Sequence, residues 1–130
     1  MTAPGPKTDA FAALLGIDVQ RRGAGHTVAT LTTDERHANP RGMVHGAVFY
    51  AVASAAVAAA ANDEVHSGIA SSVLVEYLRP AAIGDVLSAE VTRGASTERE
   101  DVFIGTVRQG DQGDVLAWVC ARTTRRSRRN

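Results

Sequence analysis

Cysteine is almost missing from this chain: Cys120 stands alone, so no internal disulfide can form and nothing points to an oxidising compartment. Four histidines accompany it in no ligand-like spacing, which argues against a structural zinc site. An excess of charge of one sign is missing too. Lys plus Arg and Asp plus Glu each total 14, which removes the broad electrostatic pull expected of a nucleic-acid binder. A long hydrophobic run is also lacking. The longest apolar segment, residues 46–61, is mostly Ala, is interrupted by Ser54, and at 16 residues is too short to span a bilayer. The opening residues MTAPGPKTDAF lack the basic stretch and apolar run of a signal peptide. The expectation is a soluble cytoplasmic protein with no membrane or nucleic-acid partner and no metal. A chain of 130 residues has room for one domain and not two, and can bury roughly two thirds of the surface its unfolded form exposes.

Residues 1–7, with two Pro and one Gly, read as a flexible leader, residues 8–124 as the domain and residues 125–130 as a basic tail. Arg122, Arg125, Arg126, Arg128 and Arg129 crowd the last nine residues, and no acid follows Asp114. Such a tail is expected to be solvated, the other reading being a place beside a phosphate-bearing ligand. Thr8 or Asp9 can cap a short helix over residues 9–15, which Gly16 stops. Strands are expected at residues 17–22 and 26–33, joined by Arg-Gly-Ala-Gly, and a polar loop at residues 34–43, which hold Pro40 and Gly42.

Residues 44–62 differ, because nine of the sixteen residues from 46 to 61 are Ala, the best helix former. This helix is apolar all the way round, the pattern of a helix surrounded by protein. Four strands are expected after it, at residues 68–78, 85–93, 101–108 and 114–123, following one another in a meander, with residues 109–113 as a hairpin turn. The strands lie too close together for helical crossovers, so the sheet is expected to be mostly antiparallel and the class α+β. One such sheet curved around one central Ala-rich helix is the hotdog arrangement.

The stretch His37-Ala-Asn39-Pro-Arg-Gly42-Met-Val-His45-Gly46 is the most informative, being polar, punctuated by glycine and leading straight into that helix. The first N–H groups of a helix have no internal partners and sit at the positive end of its dipole, where they favour an anion or a polarised carbonyl oxygen. Gly46 would offer such an N–H unobstructed, and losing one donor of an oxyanion site costs about 3 kcal/mol of transition-state stabilisation. Asn39 and His45 can add donors or hold a water. The plainer reading is that Asn39 and Gly42 only shape a turn and His45 only caps the helix.

This run, with Ala47, the Ala-rich helix, and then Tyr77-Leu78-Arg79-Pro80-Ala81 and Gly84-Asp85, resembles the hotdog thioesterases of the phenylacetyl-CoA (PaaI-like) family over residues 14–123. Their pattern is Asn-x-x-Gly-x-x-His-Gly-Gly before the helix, then aromatic-x-x-Pro-Ala and Gly-Asp after the next strand. The resemblance implies that Asn39 orients the thioester or the attacking water, that His45 contacts the thioester carbonyl, and that the Gly46 N–H is the main oxyanion donor. It implies coenzyme A as part of the substrate with no separate cofactor. It further implies a homodimer with sheets joined edge to edge and sites at the subunit interface, or a dimer of dimers (a homotetramer).

Two positions depart from that pattern: Ala47 replaces the second glycine, and Ser54 stands where the family places an aspartate on the helix as nucleophile or general base. A serine hydroxyl is no base near neutral pH, and as a nucleophile it needs one beside it. Asp63 and Glu64, the next acids, lie too far along the same helix to substitute. Strand alternation puts Glu76 with Ser72 and Leu74, and Tyr77 with Ser71, Val73 and Val75, the latter face being expected to meet the helix. Ser71 or Ser72 are candidates to line an acyl pocket. Tyr50 and Phe49 could reach an acyl group or pack in the core, and Arg79 or the tail could meet CoA phosphates. His26, His37 and His66 are expected to be solvated, and Phe103 and Trp118 to pack on sheet faces. The expected activity is hydrolysis of a small aryl- or acyl-CoA; the alternative is a protein that binds acyl-CoA or an acyl-carrier thioester without cleaving it.

Overall fold

The computed structural model describes residues 9–126. In chain order the elements are α1 (Ala10–Leu15), β1 (Asp18–Gly23), β2 (His26–Thr32), one 3-10 turn (Glu35–His37), α2 (Gly46–Ala61), β3 (Ser67–Tyr77), β4 (Val86–Ser96), β5 (Glu100–Gln109) and β6 (Val115–Arg126). Asp9 caps α1 by accepting from the Ala12 N–H at 2.9 Å, and Gly16 ends it at φ 88°, a left-handed conformation that glycine adopts freely. Because β6 runs to Arg126, Arg125 and Arg126 lie in the sheet; the leader at residues 1–7 and the rest of the tail lie outside the described residues.

The six strands form one sheet in the order β1-β2-β4-β5-β6-β3, every pair antiparallel. The expected four-strand meander is therefore corrected: β4, β5 and β6 are consecutive neighbours, but β3 pairs with β6 at the far edge. The cause is the connection after β3. Leu78 and Arg79 both donate to the Leu116 carbonyl, Pro80 has no N–H to offer a ladder, and the Ala81 carbonyl accepts from Val44. The chain so held passes the start of α2 and enters the sheet beside β2.

The helix lies against the inner face of this sheet. Ala29, Ala89, Ala117 and Ala121 keep that face shallow, while Leu87, Val91, Phe103 and Val107 fill it, all fully buried. From the helix come Phe49, Val52, Ala53, Ala56, Val57 and Ala60. Thr27 on β2 is buried as well, and its hydroxyl donates to the Ala56 carbonyl at 2.6 Å. Burial all round the helix is corrected in one respect, since the sheet wraps one side only. Tyr50 and Ala58 are exposed and Ser54 between them is partly so, forming a narrow open stripe at helical spacing.

At the end of the sheet away from the start of α2 Asp101 is buried, 3.5 Å from both Arg93 and Arg125, and accepts from the Ser96 hydroxyl at 2.5 Å. Arg21 donates to the carbonyls of Ala59 and Asn62, where a cation suits the helix C-terminus. On the outer face of the sheet Trp118 is half exposed beside Leu74 and Ile104, so of the two aromatics expected to pack only Phe103 is buried.

Candidate active site

Asn39, Gly42, His45 and Gly46 are brought together by the turn before α2. Asn39 donates its N–H to the Met43 carbonyl at 2.7 Å, Gly42 donates to the Asn39 carbonyl at 2.9 Å, and Gly42 sits at φ 80°. The side-chain Oδ1 of Asn39 accepts from the N–H groups of Arg41 and Met43 at 2.9 and 3.0 Å. The oxygen of this amide is thereby spent. What Asn39 has left is its Nδ2, a donor with no capacity to take a proton.

His45 is the N-cap of α2, extended at φ −64° and ψ 137°, and its Nδ1 accepts from the Ala47 N–H at 2.9 Å. That bond fixes the neutral tautomer, so Nε2 carries the hydrogen and points a donor outward from an exposed ring. Capping and chemistry are compatible here, because each uses a different nitrogen. The Gly46 N–H, first in the helix, has no acceptor among the described residues and stands at the positive end of the dipole.

Three anchors hold this turn. The His45 N–H donates to the His37 carbonyl at 2.8 Å, and the Val44 N–H to the Ala81 carbonyl at 3.0 Å. His37 itself is buried: its Nδ1 accepts from the Asp34 N–H at 2.9 Å and its Nε2 donates to the Leu15 carbonyl at 3.1 Å. The expectation of a solvated His37 is corrected, since both ring nitrogens are taken by backbone groups that would otherwise be unpaired. Nor are the other two free imidazoles, for His26 sits 2.5 Å from Glu90 and His66 3.2 Å from Asp63. Arg36 bonds the Asp34 carboxylate at the head of the 3-10 turn and holds it down to about 2.

Tyr77 ends β3 over the same helix start. Its hydroxyl donates to the Gly46 carbonyl at 2.7 Å, and its ring meets Phe49 edge-on with centroids 5.5 Å apart. Val73 and Val75 pack against the core from the same face, and Glu76 is exposed on the other, as alternation requires. Sequence reasoning left Tyr77 without a role; the aromatic position in the Tyr-x-x-Pro-Ala stretch was the available signal.

The remaining candidates are not drawn to this point in one chain. Ser54 lies eight residues beyond Gly46, about 12 Å along the axis at 1.5 Å per residue, on the open stripe with Tyr50. The Ser71 hydroxyl donates to the Arg122 carbonyl beside a bulge in β3, and Ser72 is exposed next to it. Arg79 follows Tyr77 and reaches Asp114 at 3.2 Å across an exposed surface. Among the described residues no group of three His, Cys, Asp or Glu could hold a metal ion, and no helix is long and apolar enough to cross a membrane.

No protein-family model matches the chain. The acyl-coenzyme A thioesterase PaaI of Escherichia coli is 34% identical over 83 residues, which cover 64% of this chain and 59% of that protein. The match thus spans under two thirds of that relative's length. The structure of the E. coli PaaI protein from the phenylacetic acid degradation operon superposes with a TM-score of 0.84 at 27% identity, covering 92% of this chain and 86% of that one. A mutant structure of the phenylacetic acid degradation protein PaaI from Thermus thermophilus gives 0.84 at 25% identity over 91% of this chain and all of that one (100%). One antiparallel sheet curved over one central helix, with a turn of donors at the helix start, defines a hotdog-fold protein. Within that class the chain is similar to the PaaI acyl-CoA thioesterases, one of which it matches over 59% of that protein's length.

Proposed function

We propose that this protein hydrolyses a small aryl- or acyl-CoA thioester to the free acid and CoA, with CoA entering only as part of the substrate. The observation that carries this reading is the pair of unspent donors at the start of α2, the Gly46 N–H and His45 Nε2–H. The thioester carbonyl oxygen accepts from both, and they stabilise the charge it gains as water adds to the carbon. Asn39 Nδ2 donates to that water and orients it. The tetrahedral adduct then expels the CoA thiolate, and the proton lost by the water ends on the thiol.

The reading includes a second copy of the chain. β3 is an edge strand of 11 residues in the described sheet, and an unpaired edge of that length is a template for another strand. A partner would set its open stripe, with Tyr50 and Ser54, opposite the donor turn, Ser54 serving as a hydrogen-bonding partner to water. Leu74, Ile104 and Trp118, exposed on the outer face, favour a further contact between dimers, hence a homotetramer. Ser71, Ser72 and Arg79 remain candidates for substrate contacts, with Arg79 two residues beyond Tyr77, whose hydroxyl bonds the Gly46 carbonyl. The cytoplasm is the compartment that suits a chain with one cysteine and a CoA substrate.

One observation favours a second reading. The open stripe of α2 carries Ser54 and no carboxylate, so a base is wanting and the protein would bind acyl-CoA or an acyl-carrier thioester without cleaving it. A thiol-release assay over aryl-, short- and medium-chain acyl-CoAs, beside calorimetric binding of a thioether analogue, separates the two. Release with any member supports hydrolysis; binding without release supports the second reading.

A further inference from the structure

We infer that Tyr77 is a positioning residue, which fixes the His45 imidazole through the peptide group joining Gly46 to Ala47. That peptide is bonded at both ends. Its carbonyl accepts from the Tyr77 hydroxyl at 2.7 Å, and its N–H donates to His45 Nδ1 at 2.9 Å. Hydrogen bonds in series polarise one another, so a donor on the carbonyl strengthens the N–H as a donor to the ring. The stronger that second bond, the more firmly the ring keeps its hydrogen on Nε2, the nitrogen left for the substrate.

The tyrosine is also placed to hold the helix start in position. A Cβ built on Gly46 would lie 3.4 Å from the Tyr77 hydroxyl oxygen, so the phenol covers the Cα of the residue whose N–H is unspent. Its ring is braced by Phe49, which is fully inside the core. Tyr77 ends β3, the edge strand, and thus ties the sheet edge to the donor turn. This inference rests on the hydrolytic reading for its kinetic consequence but not for the state of the ring.

Tyr77→Phe is the discriminating change, since it keeps the ring against Phe49 and removes only the hydroxyl. The nitrogen resonances of His45 report the tautomer at mildly alkaline pH, while kcat and KM for thiol release report catalysis. In the variant the Nδ1 resonance is expected to move toward the protonated form and kcat to fall about two- to twelvefold, the effect of one lost hydrogen bond, with KM nearly unchanged and the melting temperature within a few degrees. An unaltered His45 spectrum overturns the inference whatever the kinetics. So does a loss in which KM rises while kcat and melting temperature fall together, because that is the signature of a packing role. If the wild type releases no thiol, the hydrolytic reading fails, and the His45 spectrum of the variant alone decides the positioning role.

Discussion

His37 and Leu15 are joined by a hydrogen bond of 3.1 Å from the buried imidazole Nε2 to the last carbonyl of α1. This bond locks the donor turn to a helix that precedes it by more than twenty residues, and the same histidine's carbonyl holds the His45 N–H. Replacing His37 by Ala leaves a cavity and strips the Asp34 N–H and Leu15 carbonyl of their partners. We expect a loss of about 2–4 kcal/mol in urea unfolding, as for other buried groups whose partners are left unpaired. Thiol release should fall with it, and retention of full stability and activity would show that the turn is held by other means.

His45 can be divided into its two duties. His45→Ser keeps a side chain that accepts from the Ala47 N–H, so the cap is retained and the melting temperature should hardly change. The Nε2–H donor is lost, and kcat should drop about 10²–10³-fold, the scale found for single oxyanion donors. His45→Ala removes both and should melt earlier by about 1 kcal/mol of cap energy. Equal activity in the serine variant and the wild type would exclude the imidazole from the reaction.

Acid should loosen the turn from its 3-10 end. The Asp34 side chain, bonded first to the Arg36 guanidinium and then to the Arg36 N–H, is lowered from 3.8 to about 2. A folded-state value below the unfolded one gives stability that is complete above 3.8 and is lost as pH falls toward about 2. Melting temperature followed through that window should decline less steeply in Asp34→Asn than in the wild type. Identical slopes would show that this exposed pair contributes nothing.

How far these features could be read in advance varies with the range of the interactions. The helix was plain from nine alanines, and the α1 stop from Gly16, because propensity and turn geometry act locally. The donor turn was legible as Asn39, Gly42, His45 and Gly46, since each has a local backbone role that spacing reveals. Strand order was not, because nothing near β3 says that its partner is β6 rather than β4; that choice is made by hydrogen bonds from Leu78 and Arg79 to Leu116. His37 and Tyr77 were missed for the same reason, their partners being Leu15 and Gly46, 22 and 31 residues away.

Assembly is the next expectation. A β3 edge left open, with Ile69, Leu74 and Tyr77 about half exposed along it, should be covered by a second chain. Light scattering at micromolar concentration should give a dimer or a larger species. A monomer would remove the shared-site arrangement, and with it the role given to Ser54 across the interface.

Ser54 supplies the last test. It lies on the open stripe of α2 with Tyr50, partly exposed, in the position where the family that the sequence resembles places an aspartate. If the donors at Gly46 and His45 are correctly built and only a base is missing, Ser54→Asp should supply it. General-base assistance typically contributes about 10²–10⁴-fold, so a gain in thiol release of at least about tenfold is a conservative expectation. A carboxylate on the stripe is not forced into the core, because its neighbours Tyr50 and Ala58 are exposed, and a partner subunit there would leave it beside water and the substrate. Desolvation at such an interface could still destabilise the helix, which makes a melt of the variant the first measurement. A well-folded Ser54→Asp protein that gains nothing, beside a wild type that binds the thioether analogue and releases no thiol, would sink the hydrolytic reading. The geometry at the helix start would then serve to hold a thioester carbonyl without attacking it.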